Sequence, residues 1–168
     1  SGRVINQKRF DYLIDAFSKL DNKEMQLVIA GKYLEDTKKE LEELAKKKNI
    51  KVLFLGPLDI KDLVRVYNLA SVTVLTCPKE WFGLVPVEAM ACGCPVIAWK
   101  DNFGPEESVM EGVSGLLAKP YDTVDMAKKI DIVISRKWNK KIIRKSASKF
   151  SEKRMSKKLI TEIKKIIN

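Results

Sequence analysis

The sequence has no histidine, only three cysteines, and no apolar run approaching the roughly 18 residues of a membrane-spanning helix. Without histidine a zinc site would be short of ligands. The cysteines are Cys77, Cys92 and Cys94. Their number is odd, and the close pair is C-x-C, which is neither a redox C-x-x-C nor part of a four-ligand metal pattern. All three read as small buried thiols of a reducing compartment. The first residues lack the apolar core of a signal peptide. The expectation is therefore a cytoplasmic chain, with no metal site and no cofactor.

Basic residues abound, but only in one place. The net charge is +10. Residues 1–127 hold 17 Lys/Arg against 19 Asp/Glu, whereas residues 128–168 hold 15 against 3. That tail offers only Trp138 and Phe150 as aromatics, too few for a base-stacking platform. Nucleic acid is excluded as a partner on this ground. A solvated helical face is the first reading of the tail, and peripheral adhesion to an anionic membrane or a partner protein is the second.

What is present is an alternation of two periodicities over 168 residues, the length of one domain. "FDYLIDAFSKL" spaces Phe10, Leu13, Ile14, Phe17 and Leu20 as on a helix. "MQLVIAG" is a short apolar run ending at Gly31, suited to a strand covered on both faces. A charged helix over about 34–48, the strand "VLFLG" from Val52, and the helix "DIKDLVRVYNLA" follow. In that helix Asp59 is the expected N-cap, with Leu63, Val64, Tyr67 and Leu69 or Ala70 facing inward. The strands "SVTVLT" and "PVIAW" flank a further loop and helix; "KDNFGPEESV" reads as loop, then a short "SGLLA" and helices to the end. This order predicts an α/β, Rossmann-like three-layer domain with one parallel sheet. Ligands of such sheets bind beyond the carboxyl ends of the strands, so the segments after Val4, Ala30, Leu55, Thr76 and Trp99 should share one rim.

One of those segments, "EWFGLVPVE", carries Glu80 and Glu88. Gly83 permits a turn and a close approach of ligand to backbone. Pro86 suits the first turn of a helix, where an N–H is dispensable. The helix start near Gly83 or Leu84 presents free N–H groups and a partial positive charge fit for phosphate. The carboxylates accept hydroxyl hydrogen bonds, as a sugar or ribose diol offers. Each glutamate taken alone reads equally well as a solvated loop residue or a charge stabilising a helix start. Arg3 and Lys8, in "GRVINQK", fall on the loop after the first strand, where two cations and a helix start could hold a diphosphate without a metal.

These residues resemble the C-terminal, donor-binding half of group 1 (family 4) retaining glycosyltransferases of the GT-B fold. The likeness rests on Gly2, Arg3 and Lys8, on "LVIAG", on "VLFLGPLDIKDLVRVYNLASVTVLTC", and above all on the E-x7-E block continuing as "AMACGCPVIA". It implies that Glu80 bonds the transferred sugar and that Glu88 bonds the ribose hydroxyls. Backbone groups of Phe82, Gly83 and Leu84 would touch sugar and phosphate. Gly2, Arg3 and Lys8 would meet the diphosphate, and Gly56 and Leu58 would lie against the base. The donor implied is a UDP- or GDP-linked sugar, with mannose a candidate. The acceptor, a glycan or lipid-linked sugar, would be held by an N-terminal domain outside residues 1–168. Residues 151–168 resemble the helix that crosses back to that domain. Trp81 and Phe103 depart from the commonest pattern at positions that shape the sugar pocket. Two other classes fit the architecture: a nucleotide-sugar epimerase, and a non-enzymatic module that binds nucleotide or an anionic surface.

Overall fold

The computed structural model describes residues 2–22 and 24–167. In chain order the elements are α1 (Phe10–Ser18), β1 (Leu27–Ala30), α2 (Glu35–Lys47), β2 (Val52–Gly56), α3 (Ile60–Leu69), β3 (Thr73–Val74), α4 (Leu84–Ala91), β4 (Val96–Trp99), α5 (Gly104–Ser108), β5 (Gly115–Ala118), α6 (Thr123–Ser135), α7 (Lys140–Ala147) and α8 (Glu152–Ile167). A 3-10 turn over Asn6–Lys8 precedes α1. Every strand pairing is parallel. The crossovers are helical, as parallel neighbours require.

The strands form two sheets rather than the single sheet the sequence predicts. One has the order β1-β2, the other β3-β4-β5. Val4, read as the end of a first strand, makes only an isolated parallel bridge to Tyr33. Among the described residues no ladder joins β1 to β3, so the sheet divides there. "SVTVLT" likewise contracts to Thr73–Val74, since residues keep strand geometry only where a partner fixes them.

Side-chain burial follows this division. All four residues of β4 and of β5 are buried, as for strands covered on both faces. On the other side, Val28 of β1 and Leu53 of β2 are exposed at 36% and 48%. Helix α3 begins as expected, with the Asp59 carboxylate accepting from the Asp62 N–H at 2.8 Å. Its inward face is carried by Tyr67, with Leu63 and Ala70 packed against the same core, while Val64 and Leu69 are exposed. Leu69 borders a cleft of about 460 Å³ between β1 and β3, lined from one side by α1 and from the other by α3.

Helix α1 packs on α2 and α6 over one face, and α4 packs on α7 and α5 over the other. Asp15 of α1 joins three elements by accepting from Lys19, from Lys48 beyond α2 at 2.6 Å and from Thr123 at the start of α6 at 2.6 Å. "GPEES", expected as loop, is the short helix α5 with Pro105 in its first turn. Cys94 is buried, whereas Cys77 and Cys92 are half-buried and pack against the edge of the same core. Helix α8 carries Met155, Leu159, Ile160, Ile163 and Ile167 exposed; the side chain of Ile166 lies outside the described residues. Among the described residues no helix is long and apolar enough to cross a membrane.

Candidate active site on the carboxyl rim

The loop between β3 and α4 holds the first glutamate, and its shape is fixed by three backbone ties. Trp99, buried at the end of β4, donates its indole N–H to the Thr76 carbonyl at 2.9 Å. The Lys79 N–H donates to Asp101 at 2.9 Å. The Gly104 N–H donates to the Glu80 carbonyl at 3.0 Å. Gly104 must be glycine, because a Cβ there would stand 2.3 Å from the Trp81 carbonyl oxygen and 2.5 Å from Phe82 Cα. The loop after β4 thus clamps the loop after β3.

Lys8 reaches this clamp from the other side. The Thr76 hydroxyl donates to the Lys8 carbonyl at 3.0 Å, and the Lys8 ammonium donates to Glu80 Oε2 at 2.5 Å. Both side chains are partly buried. Burial pulls the Lys8 ammonium toward neutrality, but the hydrogen bond to Glu80 leads the opposing effects, and together they hold its pKa above the usual lysine value. Lys8 is therefore a fixed cation at neutral pH. Cys77 lies beside the pair, and its thiol is pushed up by burial against the lowering field of Lys8. It stays a thiol.

Gly83 ends the loop at φ 75° and is the N-cap of α4, with no side chain capping the helix. No acidic residue sits in the first turn, so the free N–H groups and their partial positive charge face outward beside Lys8 and Glu80. Pro86 occupies that first turn, as the sequence indicates. Glu88 lies one turn further, exposed, and accepts from the Tyr67 hydroxyl at 3.1 Å. Phe82 and Leu84 flank the turn and are exposed. Phe82 packs edge-on against Phe150, with ring centroids 5.7 Å apart. Trp81 packs edge-on against Phe103 at 5.6 Å, so the two departures from the common pattern contact each other.

The remaining predicted residues form a row of glycines along the rim. The Gly31 N–H donates to the Gly56 carbonyl at 2.7 Å, and the Gly2 N–H donates to the Ala30 carbonyl at 3.0 Å. A Cβ on Gly31 would fall 1.7 Å from the Gly2 oxygen, and one on Gly2 would reach Val85 of α4 at 3.9 Å. Gly56, Gly31, Gly2 and the start of α4 therefore adjoin in sequence. Arg3 is exposed beside this row, and Leu58 is half-buried on the loop beyond Gly56. The rim brings Lys8, Glu80 and Gly83 into one cluster; Glu88 lies beside it, and Gly56 and Leu58 form its far end.

Local sequence does not mark four residues that position the site: Thr76, Asp101, Gly104, and Tyr67 as a partner of Glu88. Trp99 reads from sequence only as strand. Each acts across more than 20 positions of sequence, and only the G-P pair at Gly104–Pro105 marks its place locally as a turn. No group of acidic or cysteine side chains able to hold a metal occurs among the described residues.

Parallel strands joined by helical crossovers place the chain in the class of Rossmann-like α/β domains. The chain belongs to one family of that class. Residues 1–154 match the family model of glycosyl transferases group 1. The chain is 44% identical over 86 residues to a D-inositol 3-phosphate glycosyltransferase of Mycobacterium, covering 51% of this chain and 19% of that protein. It is 31% identical over 166 residues to an uncharacterised glycosyltransferase of Methanocaldococcus jannaschii, covering 98% of this chain and 46% of that protein. Among solved structures it is similar to Anabaena HepE in complex with UDP and glucose, with 28% identity and a TM-score of 0.76, covering 91% of this chain and 43% of the other. The chain thus spans less than half the length of these relatives.

Proposed function

We propose that this chain binds a nucleoside-diphosphate sugar on its carboxyl rim for glycosyl transfer with retention at the anomeric carbon. The observation that carries the reading is the Lys8–Glu80 hydrogen bond beside the uncapped start of α4, where a Cβ on Gly83 would stand 3.4 Å from Glu80 Cγ. Arg3, Lys8 and the α4 N–H groups neutralise the diphosphate as it leaves. Glu80 holds the sugar hydroxyls, so it positions the sugar and is not the nucleophile. Glu88, oriented by Tyr67, accepts from the ribose diol. The glycine row lets the nucleoside lie against backbone from Gly2 to Gly56 and Leu58. The UDP bound by HepE makes uridine the first base to test, with GDP beside it. The acceptor, a glycan or lipid-linked sugar, is held by a facing N-terminal domain.

The deciding experiment is calorimetric titration of the chain with UDP and GDP, with and without a chelator. Saturable binding of one of them, unchanged by chelation, is expected. Binding abolished by chelation would remove the metal-free account, and no binding of either diphosphate would remove the donor site.

A further inference from the structure

The fold gathers cations of a single sign around helix α7. Residues 136–149 hold seven Lys/Arg and no Asp/Glu. All seven are exposed, and among the described residues none of them forms an ion pair. A face that is merely solvated mixes its signs. Helix α2 does so, with acidic and basic residues interspersed and Lys38 paired with Glu42 at 3.5 Å. Around α7 the cations repel one another, and only a partner of opposite charge relieves that repulsion.

The segment is tied to α4 along its length. A Cβ on Gly93, just past the end of α4, would stand 3.1 Å from Lys140 Cβ at the start of α7. The Arg144 guanidinium donates to the Cys92 carbonyl at 3.2 Å. At the other end, Phe150 packs on Phe82 just before α4 begins. Helix α7 therefore runs antiparallel to α4 over its eight residues, about 12 Å of helix. The basic face is rigidly placed, and it ends at Lys149, next to the carboxyl rim.

The make-up of the face selects among anionic partners. Protein interfaces are anchored by aromatic side chains in desolvated pockets. Here the aromatics are covered: Arg136 lies over the Trp138 ring at 4.5 Å, and Lys149 over the Phe150 ring at 4.9 Å. Ile142 is the exposed large apolar side chain of α7. Five of the seven cations are lysines, flexible point charges that suit a diffuse field better than the bidentate geometry of fixed carboxylates. We propose that α7 and its flanking residues dock on an anionic lipid bilayer, held by headgroup charge, with Ile142 entering the interface. In this pose the carboxyl rim opens beside the lipid surface. The proposal is independent of the donor reading: it concerns lipid, and it stands or falls whether or not a nucleotide binds.

The test is co-sedimentation with neutral phosphatidylcholine vesicles and with vesicles carrying about a third phosphatidylglycerol. The parent is compared with a variant in which Lys137, Lys141, Lys145 and Lys149 are all changed to Gln. A matched variant changes Lys153, Lys157, Lys158 and Lys164 of α8 to Gln. The parent is expected to bind the anionic vesicles alone and to leave them as added salt screens the charges. The α7 variant is expected to lose affinity by about fivefold per cation, and the α8 variant much less. A parent that binds both vesicle types alike, or neither, would overturn the proposal. So would equal losses in the two variants, because net charge and not this face would then be the cause. Binding of polyglutamate without binding of anionic vesicles would assign the face to an acidic protein and overturn it as well.

Discussion

Glu80 and Glu88 sit on the same loop and helix but have different partners, and this difference separates their roles. Glu80 is bound to a cation and Glu88 to a hydroxyl. Under the proposed reading, Glu88→Ala weakens nucleoside diphosphate binding by the loss of hydrogen bonds to a charged group, about 1.5–3 kcal/mol or roughly tenfold to a hundredfold. Glu80→Ala, which removes the counter-ion of Lys8, leaves affinity for the diphosphate at or above that of the parent and impairs recognition of the sugar nucleotide. Parallel titrations with the diphosphate and its sugar measure both. Equal losses on the bare diphosphate would contradict the division of labour. The spacing of these glutamates, Gly83 and Pro86 were legible because they fall within one short segment whose local rules are strong. Thr76, Asp101, Gly104 and Tyr67 were not, since each is defined by a partner brought near only by the fold.

At the scale of elements, periodicity located α1, α3 and α4 and the strands β1, β2 and β4 closely. It failed where partners decide the outcome. "SVTVLT" has strand composition throughout, yet only Thr73–Val74 pair. Val64 and Leu69 have the spacing of inward residues, yet both are exposed, Leu69 at the border of the cleft. "GPEES" has turn residues, and proline at a first turn is equally a helix start. The joint made by Asp15 was also invisible, because Lys48 and Thr123 lie far along the chain. Burial raises the Asp15 pKa, but the hydrogen bonds from Lys19, Lys48 and Thr123 outweigh it and hold the carboxyl well below its usual range. A carboxylate depressed in the folded state contributes stability above its unfolded pKa of about 3.9. That contribution is lost as pH falls through and below this value. Asp15→Asn is therefore expected to lower the thermal midpoint at pH 7, with the gap to the parent narrowing below about pH 4. A gap that is constant with pH would show that the charge is not the source.

For the whole molecule, the decisive fact is that the Lys8, Glu80 and Gly83 cluster lies among exposed neighbours, Trp81 and Leu84. Transfer requires the acceptor oxygen about 3–3.5 Å from the anomeric carbon with water largely excluded. Under the proposed reading, such a rim binds a donor but does not enclose it. The chain alone is therefore expected to bind donor and to transfer no sugar, while the longer protein, assayed in parallel with the same donor and acceptor, is active. Robust acceptor glycosylation by residues 1–168 would sink this half-enzyme reading. Under the proposed reading, the exposed Met155, Leu159, Ile160, Ile163 and Ile167 of α8 form the surface offered to a facing domain. The Lys8–Glu80 bond has a consequence for the molecule in its cellular surroundings. Glu80 is an internal counter-ion, so any anion arriving at Lys8 must compete with a carboxylate already in place. A bare inorganic phosphate gains the cation but strands the released glutamate. A sugar diphosphate takes the cation and supplies hydroxyls to the same glutamate, so both halves of the broken pair find a new partner. Under the proposed reading, the resting ion pair is a filter against the abundant small anions that would otherwise crowd the place of a sugar diphosphate.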